Sequence, residues 1–342
     1  MNKILTVIIP TYNMETYLRR CLDSLIIDED GMKQLEVLVI NDGSKDSSSQ
    51  IAHEYQDKYP DTFRVIDKEN GNYGSCINRG LKEATGKYVK ILDADDWFEN
   101  HGFILLVRLL GNVDADLILT DFNIQNSSDN SFLSSKYSIM CKDILQNNVF
   151  DFQDFLLAHP EFNGVMHGFT YRIDVLKDND YKQTEGISYT DQEWVALPIK
   201  HIRTCCYFPI TVYEYFIGRE GQTMAPAVMA KSIGQLMKVV INIANAFNFH
   251  DFNIQKYSCY IKKQLVTQIN IIYSGGLLLM AYPTDILLDF DRQLNRYNQF
   301  YDLGDSFKIF HIRYVKYWRL KKGKMLPVLF SFIYKIKSIF KL

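Results

Sequence analysis

Three carboxylates, Asp93, Asp95 and Asp96, stand within four residues, directly after the apolar run that ends at Leu92. Carboxylates at positions i and i+2 can share one hard cation, and Mg²⁺ or Mn²⁺ bound in this way usually completes its shell with water and substrate phosphates. The spacing therefore predicts a divalent metal site, with Asp93 and Asp95 as ligands, that suits a diphosphate. The alternative is that one of these residues caps a helix while the others are solvated.

This acidic segment follows the fourth of five predicted strands. Over the first 125 residues, short β-branched runs alternate with amphipathic segments, which is typical of an α/β fold with helices flanking a mostly parallel sheet. We predict strands over 4–9, 36–40, 63–67, 88–92 and 116–122, and helices near 15–26, 47–59, 74–84 and 102–110. Ligands bind such sheets at the carboxyl ends of the strands, so the residues just after each strand are candidates for a site.

Polar or acidic residues follow four of these strands. They form the segments Pro10-Thr11-Tyr12-Asn13, Asn41-Asp42-Gly43-Ser44, 68–74 and 93–96. One such loop is ordinary, but four loops that meet at one edge of a sheet indicate a binding site.

The same segments carry a resemblance to a known family. Residues 4–225 resemble family 2 inverting glycosyltransferases of the bacterial cell-surface polysaccharide type. The resemblance rests on the order and spacing of four runs, 7–13, 39–46, 70–74 and 92–97. The resemblance implies the GT-A fold, whose sheet is Rossmann-like. It also implies metal-dependent transfer of a sugar from a nucleotide donor, most simply a UDP-sugar.

The resemblance further implies which residues contact the donor. The Tyr12 ring would stack on the base, Asp42 would accept a hydrogen bond from the uracil imide, and Asp95 would ligate the metal between the phosphates. Relatives commonly have two acids before the glycine of the second motif, whereas this chain has Asn41-Asp42. The full set of expected donor contacts is Pro10, Thr11, Tyr12, Asn13, Asp42, Asn70, Asn78, Asp93, Ala94, Asp95 and Arg219.

Inverting transfer needs a base that removes the proton of the acceptor hydroxyl, and a carboxylate within hydrogen-bond reach is sufficient. In the family this is the aspartate of a Glu-Asp pair that opens a helix after the sheet. Here Thr190 stands in the glutamate position, and Asp191 is the predicted base. Two alternatives stay open: Asp191 is a helix N-cap, or Glu193, on a different face of the helix, is the base.

Two further segments are expected near the leaving diphosphate. The glycine-rich loop 68–80 precedes a helix, so its N–H groups and the Asn78 side chain are predicted to face the donor, with a mobile loop as the alternative. Arg219 is predicted to neutralise the developing charge, with a surface arginine as the alternative. Gln222 stands where many relatives have a serine, and His167 is a candidate for the acceptor cleft.

The formal net charge of −2 averages two different parts of this 342-residue chain. Residues 306–342 contain ten bases and no acid, whereas residues 1–305 carry a net charge of −12. A hydrophobic content of 47% excludes global disorder, and the mixed charges of the body argue against nucleic acid as a partner. The six cysteines form no CxxC pair, which fits a reducing cytosol better than a zinc site or a disulfide framework.

We predict three parts: a catalytic domain that binds the nucleotide sugar over 1–220, a helical region over 221–305 and a basic amphipathic tail over 306–342. In the tail, bases alternate with large apolar residues, which favours contact with an anionic membrane. The alternative is that these apolar residues pack on the globular body. No stretch reaches the roughly 18–20 apolar residues that span a bilayer, so we expect a cytoplasmic protein, peripheral on the inner face of the cell membrane.

The sequence thus predicts an inverting glycosyltransferase that acts on a cell-surface glycan or a lipid-linked saccharide. One alternative is a catalytically inactive, membrane-docked module that binds nucleotide sugars or glycans. The other is a sugar nucleotidyltransferase, which is disfavoured because Pro10-Thr11-Tyr12-Asn13 is not the glycine-rich, basic loop that such enzymes place after the first strand.

Overall fold

A computed structural model describes residues 3–127, 129–219, 222, 226–247, 256–277, 284–306, 308–309 and 312–321. The chain divides into two compact units, Met1–Gln222 and Thr223–Leu342. Residues 322–342, which hold most of the predicted membrane-binding tail, lie outside the described part. Among the described helices, none is long and apolar enough to cross a bilayer.

A sheet of ten strands forms the centre of the first unit. The strands are β1 (Leu5–Thr11), β2 (Leu35–Asn41), β3 (Phe63–Asp67), β4 (Tyr88–Ile91), β5 (Trp97–Phe98), β6 (Leu117–Asn126), β7 (Phe132–Ser135), β8 (Val149–Asp151), β9 (Phe169–Arg172) and β10 (Thr204–Ile217). Their order is β3-β2-β1-β4-β9-β6-β10-β5, with β7 paired to β6 and β8 paired to β10.

Helices connect these strands, so the predicted α/β fold class is confirmed. β1 to β4 pair in parallel, and their apolar runs are buried almost throughout in β1, β2 and β4. The helices of this unit are α1 (Glu15–Asp23), α2 (Glu29–Gln34), α3 (Ser48–Lys58), α4 (Asn72–Glu83), α5 (Asn100–Leu110), α6 (Tyr137–Met140), α7 (Phe152–Ala158), α8 (Ile173–Lys177) and α9 (Asp191–Ala196).

The register of the parallel strands brings their carboxyl ends together. Thr11 at the end of β1 pairs with Asn41 at the end of β2, which in turn pairs with Asp67 at the end of β3. On the other side of β1, Ile8 pairs with Ile91, the last residue of β4. The loops after these four strands therefore begin at the same edge of the sheet, as the sequence predicted.

The sheet contains more antiparallel strand pairs than the sequence suggested. β9 runs antiparallel to both of its neighbours, β4 and β6, and β7 also pairs antiparallel with β6. β9 has only four residues, Phe-Thr-Tyr-Arg, which is too short for a periodic pattern to reveal. Next to the pairing of β6 with β7, the Asn126 N–H donates to the Ser131 carbonyl at 2.9 Å.

The second unit is helical in its described part, with α10 (Pro226–Ala246), α11 (Ser258–Leu277), α12 (Thr284–Leu294), α13 (Asn298–Tyr301), a short hairpin of β11 (Lys308–Ile309) and β12 (Ile312–Arg313), and α14 (Tyr314–Leu320). Arg319 joins these pieces, because its guanidinium bonds to the carboxylates of Asp291 and Asp305 and to the Tyr273 hydroxyl. Trp318 beside it is buried. These first residues of the basic tail therefore belong to the folded second unit.

We expect Gly102→Ala to destabilise the first unit. A Cβ atom on Gly102 would lie 1.8 Å from the carbonyl oxygen of Thr211, so α5 would have to move away from β10. Overpacking of this kind typically costs about 1–3 kcal/mol, and thermal unfolding followed by circular dichroism should show a lower midpoint. Gly111→Ala is the matched control at the other end of α5, where the nearest atom is 3.5 Å away. Equal midpoints for the two variants would contradict this packing.

Candidate active site

The centre of the site is a carboxylate cluster, formed by Asp93, Asp95 and Asp96 just beyond β4. Asp95 and Asp96 are almost fully buried, and Asp93 is half-buried. Charges taken out of water need partners, and each of these carboxylates has one or more. The Tyr73 hydroxyl donates to Asp93 at 2.7 Å, Arg219 pairs with Asp95, and the Tyr213 hydroxyl and the Phe216 N–H donate to Asp96 at 2.7 and 2.8 Å.

Crowding of these negative charges alters their protonation. Burial, followed by the charge of Asp95, raises the pKa of Asp93 to about 7. Burial and the same neighbour raise the pKa of Asp96 well above its ordinary value. Arg219 and Arg20 offset part of the charge by proximity: Arg219 pairs with Asp95, and Arg20 is held near the cluster by a bond of 2.8 Å to the Asp95 carbonyl. The cluster therefore favours the binding of a further positive charge.

Asp42 shapes the glycine-rich loop. Its carboxylate accepts the backbone N–H groups of Gly71 and Asn72, both at 2.9 Å, and a bond of 2.5 Å from the Lys68 ammonium. The Asn70 amide donates to the Asp42 carbonyl at 3.0 Å. Asp42 thus satisfies the first N–H groups of α4 from a neighbouring strand end. These bonds give the Asp42 carboxylate a role in shaping the loop, and its contact with a base stays a prediction.

The last two residues of β1 and the two that follow them form a surface beside this loop. Thr11 is buried, Pro10 is half-buried, and 45% of the Tyr12 side chain is exposed. Asn13 adopts φ +54° and bonds to the loop after β2, through its N–H to the Ser44 hydroxyl and through its amide oxygen to the Lys45 N–H. The structure therefore presents the Tyr12 ring to solvent at the sheet edge, where a stacking partner can reach it.

Asn78 has a different setting from the one predicted. Its amide donates to the Gln183 carbonyl and to the Glu185 carboxylate, each at 2.9 Å, and accepts the Gln183 N–H at 2.9 Å. It also lines a cavity of about 640 Å³, beside α4, with Lys68 and Lys177. The side chain thus fastens segment 183–185 to α4, and these bonds use the groups that were expected to contact the donor.

Asp191 opens α9, next to Tyr189 with φ +66°. The Asp191 charge, after burial and Asp95, contributes to the raised pKa of Asp93, so the two carboxylates share one electrostatic environment. Burial raises the pKa of Asp191 itself. The N-cap position belongs to Thr190, whose side chain makes no capping bond.

Glu193, the competing candidate for the base, faces elsewhere. It is 1% exposed, and its two oxygens accept bonds of 2.7 Å from the N–H and the hydroxyl of Thr184. These bonds give Glu193 a structural role. Of the two acids, Asp191 is the one whose charge acts on the carboxylate cluster.

Arg219 lies in the loop after β10. Its guanidinium pairs with Asp95 and lies 5.5 Å from the centre of the Tyr17 ring. Gln222 closes the loop by accepting the Gly218 N–H at 3.0 Å and donating to the Phe216 carbonyl at 2.8 Å. The structure therefore brings Arg219 to the carboxylate cluster, and it gives Gln222 a role in shaping the loop.

Sequence reasoning missed Lys90, which is fully buried in β4. Its ammonium donates to the carbonyls of His167 and Phe169, at 2.7 and 3.2 Å. It therefore fixes the backbone of the 3₁₀ turn Met166–Gly168, from which the His167 ring reaches Tyr213 and Tyr215. The sequence did contain a signal for Lys90, since it is a charged residue inside the apolar run 88–92. It contained no comparable signal that Tyr73 and Tyr213 would contact the carboxylates.

Comparison with known sequences is consistent with this site. The family model described as "Glycosyl transferase family 2" matches residues 6–179. A protein named glycosyltransferase GlyA, from Streptococcus pneumoniae, is 36% identical over 128 residues, which are 37% of this chain and 18% of GlyA. GgaB of Bacillus subtilis, named a minor teichoic acid biosynthesis protein, is 41% identical over 91 residues, which are 27% of this chain and 10% of GgaB. The chain thus spans well under two thirds of these relatives.

Comparison of structures covers more of the chain. Staphylococcus aureus TarS 1–349, solved in complex with UDP-GlcNAc, aligns with a TM-score of 0.66 at 20% sequence identity. The alignment covers 94% of this chain and 88% of TarS 1–349. At this identity the likeness concerns the fold, and it confirms the predicted GT-A arrangement with its helical C-terminal region.

We expect Lys90→Met to change how stability depends on pH. Burial lowers the pKa of Lys90 to about 7 from its ordinary 10.5. Between these two pKa values Lys90 is protonated in the unfolded chain and mostly neutral in the folded chain. The unfolded chain therefore binds more protons than the folded chain, and this lysine makes the free energy of unfolding rise with pH. Denaturant titrations from about pH 7 to 10 should show a steeper rise for the wild type than for Lys90→Met. Lys82→Met, at an exposed lysine of α4, should behave like the wild type. Parallel curves for the wild type and Lys90→Met would refute the assignment.

Proposed function

The chain belongs to glycosyl transferase family 2, and from that premise we propose that it is an inverting, metal-assisted glycosyltransferase with Asp191 as its base. The donor would be a UDP-sugar, and the acceptor a hydroxyl group of a cell-surface glycan or of a lipid-linked saccharide. One observation carries the proposal: Asp191 shares the electrostatic environment of a carboxylate cluster at the end of β4.

The donor is proposed from the groups at the sheet edge. Tyr12 offers an exposed ring, and the Asp42 carboxylate lies beside the loop that it organises. An aromatic face and a carboxylate can together recognise a uracil, whose imide is a donor. TarS has been solved with UDP-GlcNAc and with UDP, and this likeness in fold supports a uridine nucleotide.

The carboxylate cluster fits a divalent cation. Three carboxylates and Asp191 face two arginines, Arg20 and Arg219, so the site lacks positive charge. Oxygen ligands of this kind suit Mg²⁺ or Mn²⁺, and Asp93 and Asp95 would hold the ion. When bound, the cation would screen the charge of the two donor phosphates.

The protein residues would carry out a single displacement. The Asp191 carboxylate takes the proton of the acceptor hydroxyl, whose oxygen attacks the anomeric carbon of the sugar. The bond from that carbon to the phosphate oxygen breaks on the opposite face, and the nucleoside diphosphate leaves with the electron pair. Arg219, which pairs with Asp95, would stabilise the charge on the leaving group.

The acceptor is proposed from a relative and from the basic tail. GgaB is named for teichoic acid biosynthesis, which supports a surface polymer as the acceptor. The basic residues 322–342 would hold the enzyme at an anionic membrane, where a lipid-linked acceptor resides. The competing proposal, an inactive binding module, predicts that Asp191 can be changed without effect on any transfer reaction.

We expect Asp191→Asn to abolish most of the transfer activity while donor binding is retained. The amide cannot accept the hydroxyl proton, and loss of a general base typically costs about 10²–10⁴-fold in rate. A screen of UDP-sugars with Mn²⁺ would first identify the donor, and UDP release would then measure the rate. Asp57→Asn, at an exposed acid of α3, is the matched control. Full donor-dependent transfer by Asp191→Asn would show that the base is another group.

The pH dependence of the reaction offers a separate test. Burial raises the pKa of Asp191, and a base works only when deprotonated. The acid limb of kcat/KM should therefore lie above the range of an ordinary aspartate, with activity rising as pH rises through that pKa. An acid limb at or below about pH 4, the ordinary aspartate value, would contradict a buried Asp191 as the base.

A further inference from the structure

We propose that His167 supplies a nitrogen ligand to the metal ion held by Asp93, so that the site prefers Mn²⁺ to Mg²⁺. This inference rests on the proposed function, because it assigns a ligand and a selectivity to the same metal site. His167 follows none of the predicted strands and stands in no motif with Asp93 in the sequence. Only the fold brings the two together.

The positions of the ligand atoms carry the proposal. A ring nitrogen of His167, a carboxylate oxygen of Asp93 and a carboxylate oxygen of Asp96 all lie within 4.8 Å of one another. A cation that enters this group needs small movements of the side chains to reach bonding distance. Asp96 already accepts bonds from Tyr213 and Phe216, so Asp93 and His167 are the ligands with more freedom to bind an ion.

The His167 ring is held in place without using its Nδ1 atom. It stacks on the Tyr215 ring at a centroid distance of 4.1 Å and meets the edge of Tyr213 at 4.7 Å. The Lys90 ammonium fixes the His167 carbonyl at 2.7 Å. Nδ1 is shielded from solvent and has no hydrogen-bond partner. A buried polar atom of this kind calls for an explanation, and coordination of a metal ion through Nδ1 would give this atom a partner.

An imidazole ligand changes which ion the site prefers. Mg²⁺ favours carboxylates, carbonyls and water, whereas imidazole suits later first-row metals. Mn²⁺ accepts oxygen ligands and, as the first member of the divalent first-row series, also binds nitrogen ligands. A site with Asp93 and His167 would therefore bind Mn²⁺ more tightly than Mg²⁺, and the loss of the nitrogen should reduce that preference.

Pulsed electron paramagnetic resonance of the full chain with Mn²⁺ and UDP tests this ligand directly. A directly bound imidazole nitrogen modulates the electron spin echo, and we expect this modulation in the wild type and its loss in His167→Phe, which keeps an aromatic ring for stacking. Mn²⁺ titration should show affinity weaker by about tenfold or more in that variant, with a smaller change for Mg²⁺. His101→Gln, at an exposed histidine of α5, is the matched control and should keep the modulation.

The outcomes separate this inference from the proposed function. Wild-type protein that binds Mn²⁺ and transfers sugar, yet shows no nitrogen modulation, would overturn the assignment of His167 and leave the glycosyltransferase proposal intact. Wild-type protein that transfers sugar without binding Mn²⁺ would overturn both the metal assistance and this ligand. Because the decisive signal is read in the wild type, a variant that fails to fold does not remove the test.

Discussion

The structure of the site depends on the cost of burying three carboxylates within four residues. Asp93, Asp95 and Asp96 are forced together by the end of β4, and burial with mutual repulsion raises the pKa of the first and third. The surrounding side chains compensate this charge. Tyrosine hydroxyls come from α4 and β10, and an arginine comes from the loop after β10. Distant parts of the chain are thereby fixed around one point, and the charge that stays uncompensated favours a cation.

Another carboxylate, that of Asp42, is linked by hydrogen bonds to helix α9, which begins with Asp191. Asp42 holds the N–H groups of the loop at the start of α4. The same helix holds segment 183–185 through Asn78, and the Gly71 carbonyl accepts the Gly186 N–H at 2.9 Å. That segment in turn contains Thr184, which fixes Glu193 in α9. A chain of partly buried hydrogen bonds therefore runs from the end of β2 to the helix that begins with Asp191.

The sequence revealed most of the first unit, because its signals were local. Continuous Val, Ile and Leu runs marked β1, β2 and β4, and polar residues marked the edge where their loops meet. The short strand β9 gave no such signal, and without it the neighbours of β4 could not be known. The membrane-facing interpretation of the tail did not hold for its beginning, since Trp318 and Arg319 pack inside the second unit.

By itself, the sequence determined the fold class, the family and the acids that can do chemistry, since each depends on residue types in local order. Only the tertiary structure decided which acids act together. Asp191 and Glu193 are two residues apart and chemically alike, yet Thr184 occupies both oxygens of Glu193. Likewise, only the packed chain shows that Lys90 in β4 donates to the His167 carbonyl in the turn before β9. Burial and hydrogen-bond partners are properties of the packed chain, and they set the charge and direction of each group.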